Sequence, residues 1–147
     1  MNIKSLHPRR NGRYQQGYVD PSSCKKLLPG APTPVIYRSS YERRFIQWLE
    51  RSSQVRWWAS ECIAIPYKYP DGSTHLYYPD YFLIFSDGSK VLVEVKPKNQ
   101  TIPPPSTDVW RTKEWSKNNR KWSAAMEYCS NRGIEFKILT EETINRL

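Results

Sequence analysis

Two carboxylates and one ammonium stand out by type and spacing: Asp80 in Tyr78-Pro79-Asp80-Tyr81, and Glu94 and Lys96 in Val91-Leu92-Val93-Glu94-Val95-Lys96. Two acids and a lysine on adjacent strands can hold a divalent cation and position a nucleophile. Hard cations such as Mg²⁺ take carboxylate oxygens at roughly 2.1 Å in octahedral geometry and keep several waters. In an extended strand Glu94 and Lys96 share a face, about 7 Å apart along it, while Val91, Val93 and Val95 take the other. An acid and a base on an otherwise apolar strand are costly to bury without a partner or a task. The bland alternative is a structural Glu94–Lys96 ion pair, with Asp80 doing no more than starting a strand after Pro79.

The turn between the two strands decides whether Asp80 joins Glu94. A two-residue Asp87-Gly88 loop sets Asp80 opposite Val95. A three-residue Ser86-Asp87-Gly88 loop, with Gly88 in the left-handed bulge position, sets Asp80 opposite Glu94 with Cβ atoms about 5 Å apart. Like charges so placed repel unless a cation lies between them. The expectation is therefore the three-residue register together with a metal, and a two-residue register without a bulge would end the argument.

The elements that must position these residues follow from pattern. Ser39-Ser40-Tyr41-Glu42 reads as a capping box, Ser39 at the N-cap and Glu42 at the third helical position. Tyr41, Phe45, Trp48 and Leu49 then recur at helical spacing as one buried face, ending near residue 51. Val55-Arg56-Trp57-Trp58 leads into a strand over about 61–68. Pro70-Asp71-Gly72 supplies turn chemistry, and a second strand runs over about 74–85. The third covers about 89–96, and four prolines make 97–109 a long loop. A helix over 110–131 follows, with Trp115, Trp122, Met126 and Cys129 on one stripe and Gly133 beyond its end. Ile134, Phe136 and Ile138 alternate as a last strand, and Thr140 caps a short terminal helix. The order is α-β-β-β-α-β.

Composition limits the partners. The chain has 147 residues, 23 Lys+Arg against 14 Asp+Glu, and a formal net charge of +9. Charge of this size on one small domain asks for a polyanion, and without a strongly apolar amphipathic helix, nucleic acid suits better than membrane. No apolar run is long enough to cross a bilayer, and the first residues lack the stretch a secretory signal needs. Six Trp and ten Tyr argue for a packed core. Cys24, Cys62 and Cys129 have no zinc or disulfide spacing and suit a reducing compartment. Residues 1–36 carry six basic residues against Asp20, with five prolines, and read as an extended basic arm lying along DNA or on a protein partner. A plain tail is the other reading. Arg9, Arg10 and Arg13 in this arm, and Lys113, Lys117, Arg120 and Lys121 on the long helix, are the candidate phosphate contacts; a solvated helix face is the alternative for the latter four. Glu61 is placed at the edge of the site, and His75 as a structural histidine or a substrate contact.

Pro79-Asp80, then Glu94-x-Lys96, in this element order resembles the PD-(D/E)xK nuclease superfamily. Tyr37-Arg38-Ser39-Ser40-Tyr41-Glu42, Trp58-Ala59-Ser60-Glu61, Ile65-Pro66-Tyr67 and His75-Leu76-Tyr77-Tyr78-Pro79-Asp80 narrow it. These stretches are similar to the head completion nucleases of tailed phages and to the endonuclease subunit of heteromeric transposases. The resemblance implies a mixed α/β, restriction-endonuclease-like αβββαβ core over 37–147, a central mixed sheet flanked by helices. It implies catalysis by Glu42, Asp80, Glu94 and Lys96. Asp80, Glu94, the backbone carbonyl of Val95 and, directly or through water, Glu42 would bind Mg²⁺ or Mn²⁺, and Lys96 would align the attacking water. The implied function is metal-dependent DNA endonuclease cleavage during phage head completion, in host cytoplasm or on the virion, with portal or neck proteins as partners of the arm. The alternatives are a non-enzymatic DNA-binding virion protein with a relict site, and a transposition or junction-cutting nuclease dependent on partners.

Overall fold

The computed structural model of the chain describes residues 16–147. In chain order the strands and helices are β1 (Gly17–Val19), β2 (Val35–Tyr37), α1 (Ser40–Arg51), β3 (Val55–Ser60), β4 (Ile65–Lys68), β5 (Thr74–Tyr77), β6 (Tyr81–Phe85), β7 (Lys90–Val95), α2 (Val109–Ser130), β8 (Ile134–Leu139) and α3 (Glu141–Ile144). The main sheet runs β3-β6-β7-β8; its first three strands are antiparallel, and β8 adds parallel to β7. The sheet is therefore mixed, and its strands with α1 and α2 follow the expected order. A separate hairpin of β4 and β5 is inserted between β3 and β6.

Helices cover both faces. On one, Phe45, Ile46 and Leu49 of α1 and Ile144 of α3 pack with Val55, Leu83, Val91 and Val93. On the other, Trp122, Ala125 and Cys129 of α2 pack with Leu92 and with Ile65, Tyr67 and Tyr77 of the hairpin. Alternation along β7 therefore sends Val91 and Val93 toward α1, and Leu92 with Glu94 toward α2. The buried face of α1 differs from the expected one: Ile46 belongs to it, Trp48 is partly buried and Tyr41 is exposed. On α2, Met126 is likewise exposed. No helix among the described residues is long and apolar enough to cross a membrane.

Two strand expectations are corrected. Val55 to Ser60 is itself the edge strand of the main sheet, and the strand expected over 61–68 is only the short β4. The expected 74–85 strand is two strands in two sheets, β5 and β6, parted at Tyr78-Pro79-Asp80. Proline has no N–H to give a ladder and is poorly tolerated inside a strand paired on both sides, whereas Pro66 is accommodated in the two-stranded β4–β5 hairpin.

The basic segment ahead of residue 37 divides. Residues 1–15, which carry Arg9, Arg10 and Arg13, lie outside the described residues. From Gln16 onward the chain is built into the domain rather than extended from it. β1 and β2 pair with each other, and Val35 is buried in the α1-side core. Lys25 and Lys26 donate backbone N–H groups to the Glu50 carboxylate (2.7 and 3.1 Å). Trp58 N–H donates to the Lys26 carbonyl (2.9 Å), and Leu28 N–H to the Trp58 carbonyl (2.8 Å). These bonds cover the outer edge of β3, which would otherwise invite pairing with another chain.

Candidate active site

The loop between β6 and β7 sets the register of the site. Phe85 N–H donates to the Ser89 carbonyl (2.8 Å) and Gly88 N–H to the Phe85 carbonyl (3.0 Å). Gly88 has φ of +88°, a left-handed conformation that glycine adopts without penalty. Ser86-Asp87-Gly88 is thus a three-residue loop, stiffened where the Asp87 carboxylate accepts from Ser89 N–H and Oγ–H. Tyr81 pairs with Val93, Phe82 with Leu92 and Leu83 with Val91. One step further, Asp80 stands opposite Glu94, the register that Asp80 and Glu94 need to act together.

Asp80 is not a strand residue as expected. It stands just ahead of β6, behind the break at Pro79, and is held from both sides. Glu61 N–H donates to the Asp80 carbonyl (3.0 Å) from the end of β3, and Val95 N–H donates to its Oδ2 (2.8 Å) from β7. The carboxylate therefore takes the place of a ladder carbonyl and is aimed along the sheet end. Glu61 makes its bond from a left-handed backbone at φ of 50°, a conformation costing a non-glycine residue about 1–2 kcal/mol. Such strain concentrates at functional positions. Its side chain pairs with Arg38 at 3.0 Å, so Glu61 props the edge of the site.

Glu94 is buried, and Tyr77 Oη–H donates to its Oε2 at 2.7 Å. Burial first, then the charges of Glu94 and Asp80, push the Tyr77 phenol far above the usual tyrosine range, so it stays a donor. The Lys96 ammonium lies 3.7 Å from Glu94 Oε1 and is partly exposed. An ion pair is therefore present at the end of β7. Lys121 of α2 places its ammonium 5.5 Å above the Tyr77 ring.

Glu42 approaches from the α1 side. Ser39 Oγ accepts from Glu42 N–H (3.1 Å), as the capping box requires. The Glu42 carboxylate accepts from Arg38 N–H (3.0 Å), one residue further back than the standard box, and from Ser39 Oγ–H (3.3 Å). Glu42 also lines a cleft of about 290 Å³ with Arg38, Val95 and Lys96. Tyr81 links this side to the other. Burial, followed by the charges of Glu42, Asp80 and Glu61, raises its phenol well above the ordinary value. Its hydroxyl is buried with no hydrogen-bond partner among the described residues.

The donor set of Asp80, Glu94, the Val95 carbonyl and Glu42 consists of hard oxygens, which fits Mg²⁺ or Mn²⁺ rather than a soft metal. An orphaned hydroxyl amid three carboxylates fits a pocket that takes up polar groups. Among the described residues no three His, Cys, Asp or Glu side chains are grouped to hold a metal unaided. Mg²⁺ sites typically combine one or two carboxylates with waters and substrate phosphate.

Three of the four candidate phosphate contacts on α2 have neighbours in or beside the β4–β5 hairpin. Lys117 sits over the Tyr69 ring at 5.8 Å, Lys121 over Tyr67 and Tyr77, and Arg120 donates to the Lys68 carbonyl at 3.4 Å. All three reach toward the β4–β5 hairpin, Lys117 and Lys121 half-buried and Arg120, like Lys113, exposed. His75 stacks on Tyr69 with ring centroids 3.5 Å apart, within the hairpin. Tyr77, Tyr81 and Arg38 were not legible as site residues, because their contacts come from strands and turns distant in sequence.

A four-stranded mixed sheet between helices, with this strand order and this cluster at its end, is restriction-endonuclease-like. Comparison with known proteins defines the class further. The family described as TnsA-like endonuclease N terminal matches residues 52–141, and the chain belongs to it. Asp80, Glu94 and Lys96 fall inside that span. The chain is also 35% identical, over 129 residues, to a head completion nuclease of Enterobacteria phage T4, covering 80% of this chain and 86% of that protein.

Proposed function

We propose that this chain is a divalent-metal-dependent DNA endonuclease that trims or cuts DNA during phage head completion. The observation that carries the reading is the loop-set register, which puts Asp80 opposite Glu94 with Lys96 on the same face. Family membership and the T4 relative's name support the nuclease class and the process.

Asp80, Glu94 and the Val95 carbonyl would hold the cation, with Glu42 as a further ligand. A divalent cation bound there supplies Lewis-acid charge beside the scissile phosphate and makes nearby water more acidic. Val95 N–H and Tyr77 Oη–H each fix one carboxylate, so the acids cannot swing apart when substrate enters. Lys96 orients the attacking water for in-line displacement and offsets charge growing on the phosphate oxygens. The net charge of +9 draws the duplex to the protein without reading sequence.

Incubation of supercoiled and linear DNA with the protein is expected to give cutting in Mg²⁺ or Mn²⁺ and none in EDTA. Absence of cutting with every divalent metal, with salt-sensitive DNA binding retained, would overturn the enzymatic reading in favour of a binding protein. Lys96→Met is expected to lower the single-turnover rate about 100-fold while leaving DNA affinity nearly intact. Tyr77→Phe removes the donor that orients Glu94 and is expected to cost about 10–100-fold in rate, measured at saturating metal to separate orientation from metal affinity.

A further inference from the structure

A second hollow opens from Lys96 on the α2 side of the sheet, the side to which Glu94 points. It encloses about 310 Å³, and its walls include Ile102 and Pro104 of the loop after β7, and Trp110, Trp115, Asn118 and Lys121 of α2. Two large apolar side chains of its lining stand exposed, Trp110 at 71% and Ile102 at 53%. Its charge is basic, with Lys96, Arg111 and Lys121 against the single acid Glu114. Asn118, buried on the same wall, carries an amide that can both donate and accept.

We propose that this hollow is a subsite for one unpaired nucleotide of the cleaved strand, its base stacked on Trp110; the inference rests on the nuclease reading above. Four observations select this occupant. The hollow shares Lys96 with the candidate site, so what fills it lies next to the scissile phosphate of the proposed reaction. Its basic groups suit a phosphodiester, and Lys121 reaches both the hollow and the ring of Tyr77, which holds Glu94. Its exposed indole has no use against paired bases, whose faces are hidden in the stack, but gains from an unstacked base whatever its identity. The volume suits one nucleotide rather than a duplex. Trp110 thus selects DNA carrying single-stranded character next to the cut, and the site prefers a duplex with a single-stranded tail to a fully paired one.

The test measures binding of fluorescent DNA in EDTA, so that no cleavage is needed. The probes are a duplex with a single-stranded tail and a fully paired duplex of equal length. Trp110→Ala is expected to weaken binding of the tailed DNA about tenfold and to leave the paired duplex unchanged, with Trp110→Phe restoring most of the loss. Abasic positions scanned along the tail are expected to reveal one nucleotide whose removal weakens wild type by the same factor and Trp110→Ala no further. Trp110 is exposed, so circular dichroism should show an unaltered fold. Equal loss on both DNAs, no loss on either, or no sensitive abasic position would overturn the proposal. A hydrophobic protein-docking face would give the second of these. If the tailed DNA behaves as expected but no DNA is ever cut, the nuclease reading fails and with it the subsite's place on a cleaved strand, leaving only a single-strand-binding hollow.

Discussion

Asp80→Asn is expected to reduce DNA cleavage by at least about 10³-fold while the protein stays folded. Asparagine keeps the shape of the side chain and can still accept from Val95 N–H, the bond that Asp80 Oδ2 makes at 2.8 Å. The backbone bond from Glu61 is indifferent to the substitution. What disappears is the negative charge that, in the proposed function, makes a place for a cation with Glu94. The near-isosteric change therefore separates chemistry from scaffold, which Asp80→Ala would not do as well. Because like charges facing each other across a strand pair are destabilising, Asp80→Asn should leave stability equal to wild type or slightly above it in metal-free urea denaturation. A variant that is both inactive and strongly unfolded would point instead to a structural duty for the carboxylate.

The largest effect on stability is expected at Trp58, which lies behind the site rather than in it. It is fully buried, packs edge-on against Tyr81 with ring centroids 6.4 Å apart, and donates its indole N–H to Glu50 at 2.7 Å. Glu50 in turn receives the backbone N–H groups of Lys25 and Lys26. Trp58→Ala thus opens a large cavity and removes one of the donors to a partly buried carboxylate. The expected cost is about 3–5 kcal/mol, or a fall of roughly 10 °C in Tm for a chain of this size. Thermal unfolding followed by circular dichroism measures it, and a fall of only a degree or two would contradict the packing described. Tyr81 adjoins Asp80, so the variant should also lose some cleavage at temperatures where it remains folded.

The parts of the fold that depend on local chemistry could be read from the chain. Ser39 caps α1 as its residue type and the Glu42 spacing demand, while the Asp87-Gly88 turn allowed two registers and the prospect of a shared cation between Asp80 and Glu94 favoured the three-residue one. That register is what brings Asp80 to Glu94. The parts that depend on distant partners could not be read. Nothing local says that Lys26 and Leu28 pair with Trp58, so residues 16–36 looked like an arm. Apolar periodicity ran through Pro79, so two strands looked like one, although the proline was the proper warning of a break. Nothing local says that Lys117, Arg120 and Lys121 lie beside the β4–β5 hairpin, because those contacts come from residues far back in the chain. Tyr77 could not be tied to Glu94, because the two belong to different sheets.

The central claim is that Asp80, Glu94 and Lys96 form one metal-dependent centre for cutting DNA. Its most direct test is nicking of supercoiled plasmid in Mg²⁺, in Mn²⁺ and in EDTA by wild type, Asp80→Asn, Glu94→Gln and Lys96→Met. The account predicts nicking by wild type in either metal, none in EDTA, and deep loss in all three variants with plasmid binding retained. Metal-dependent nicking that survives in Asp80→Asn and Glu94→Gln would contradict it and place the chemistry elsewhere in the molecule.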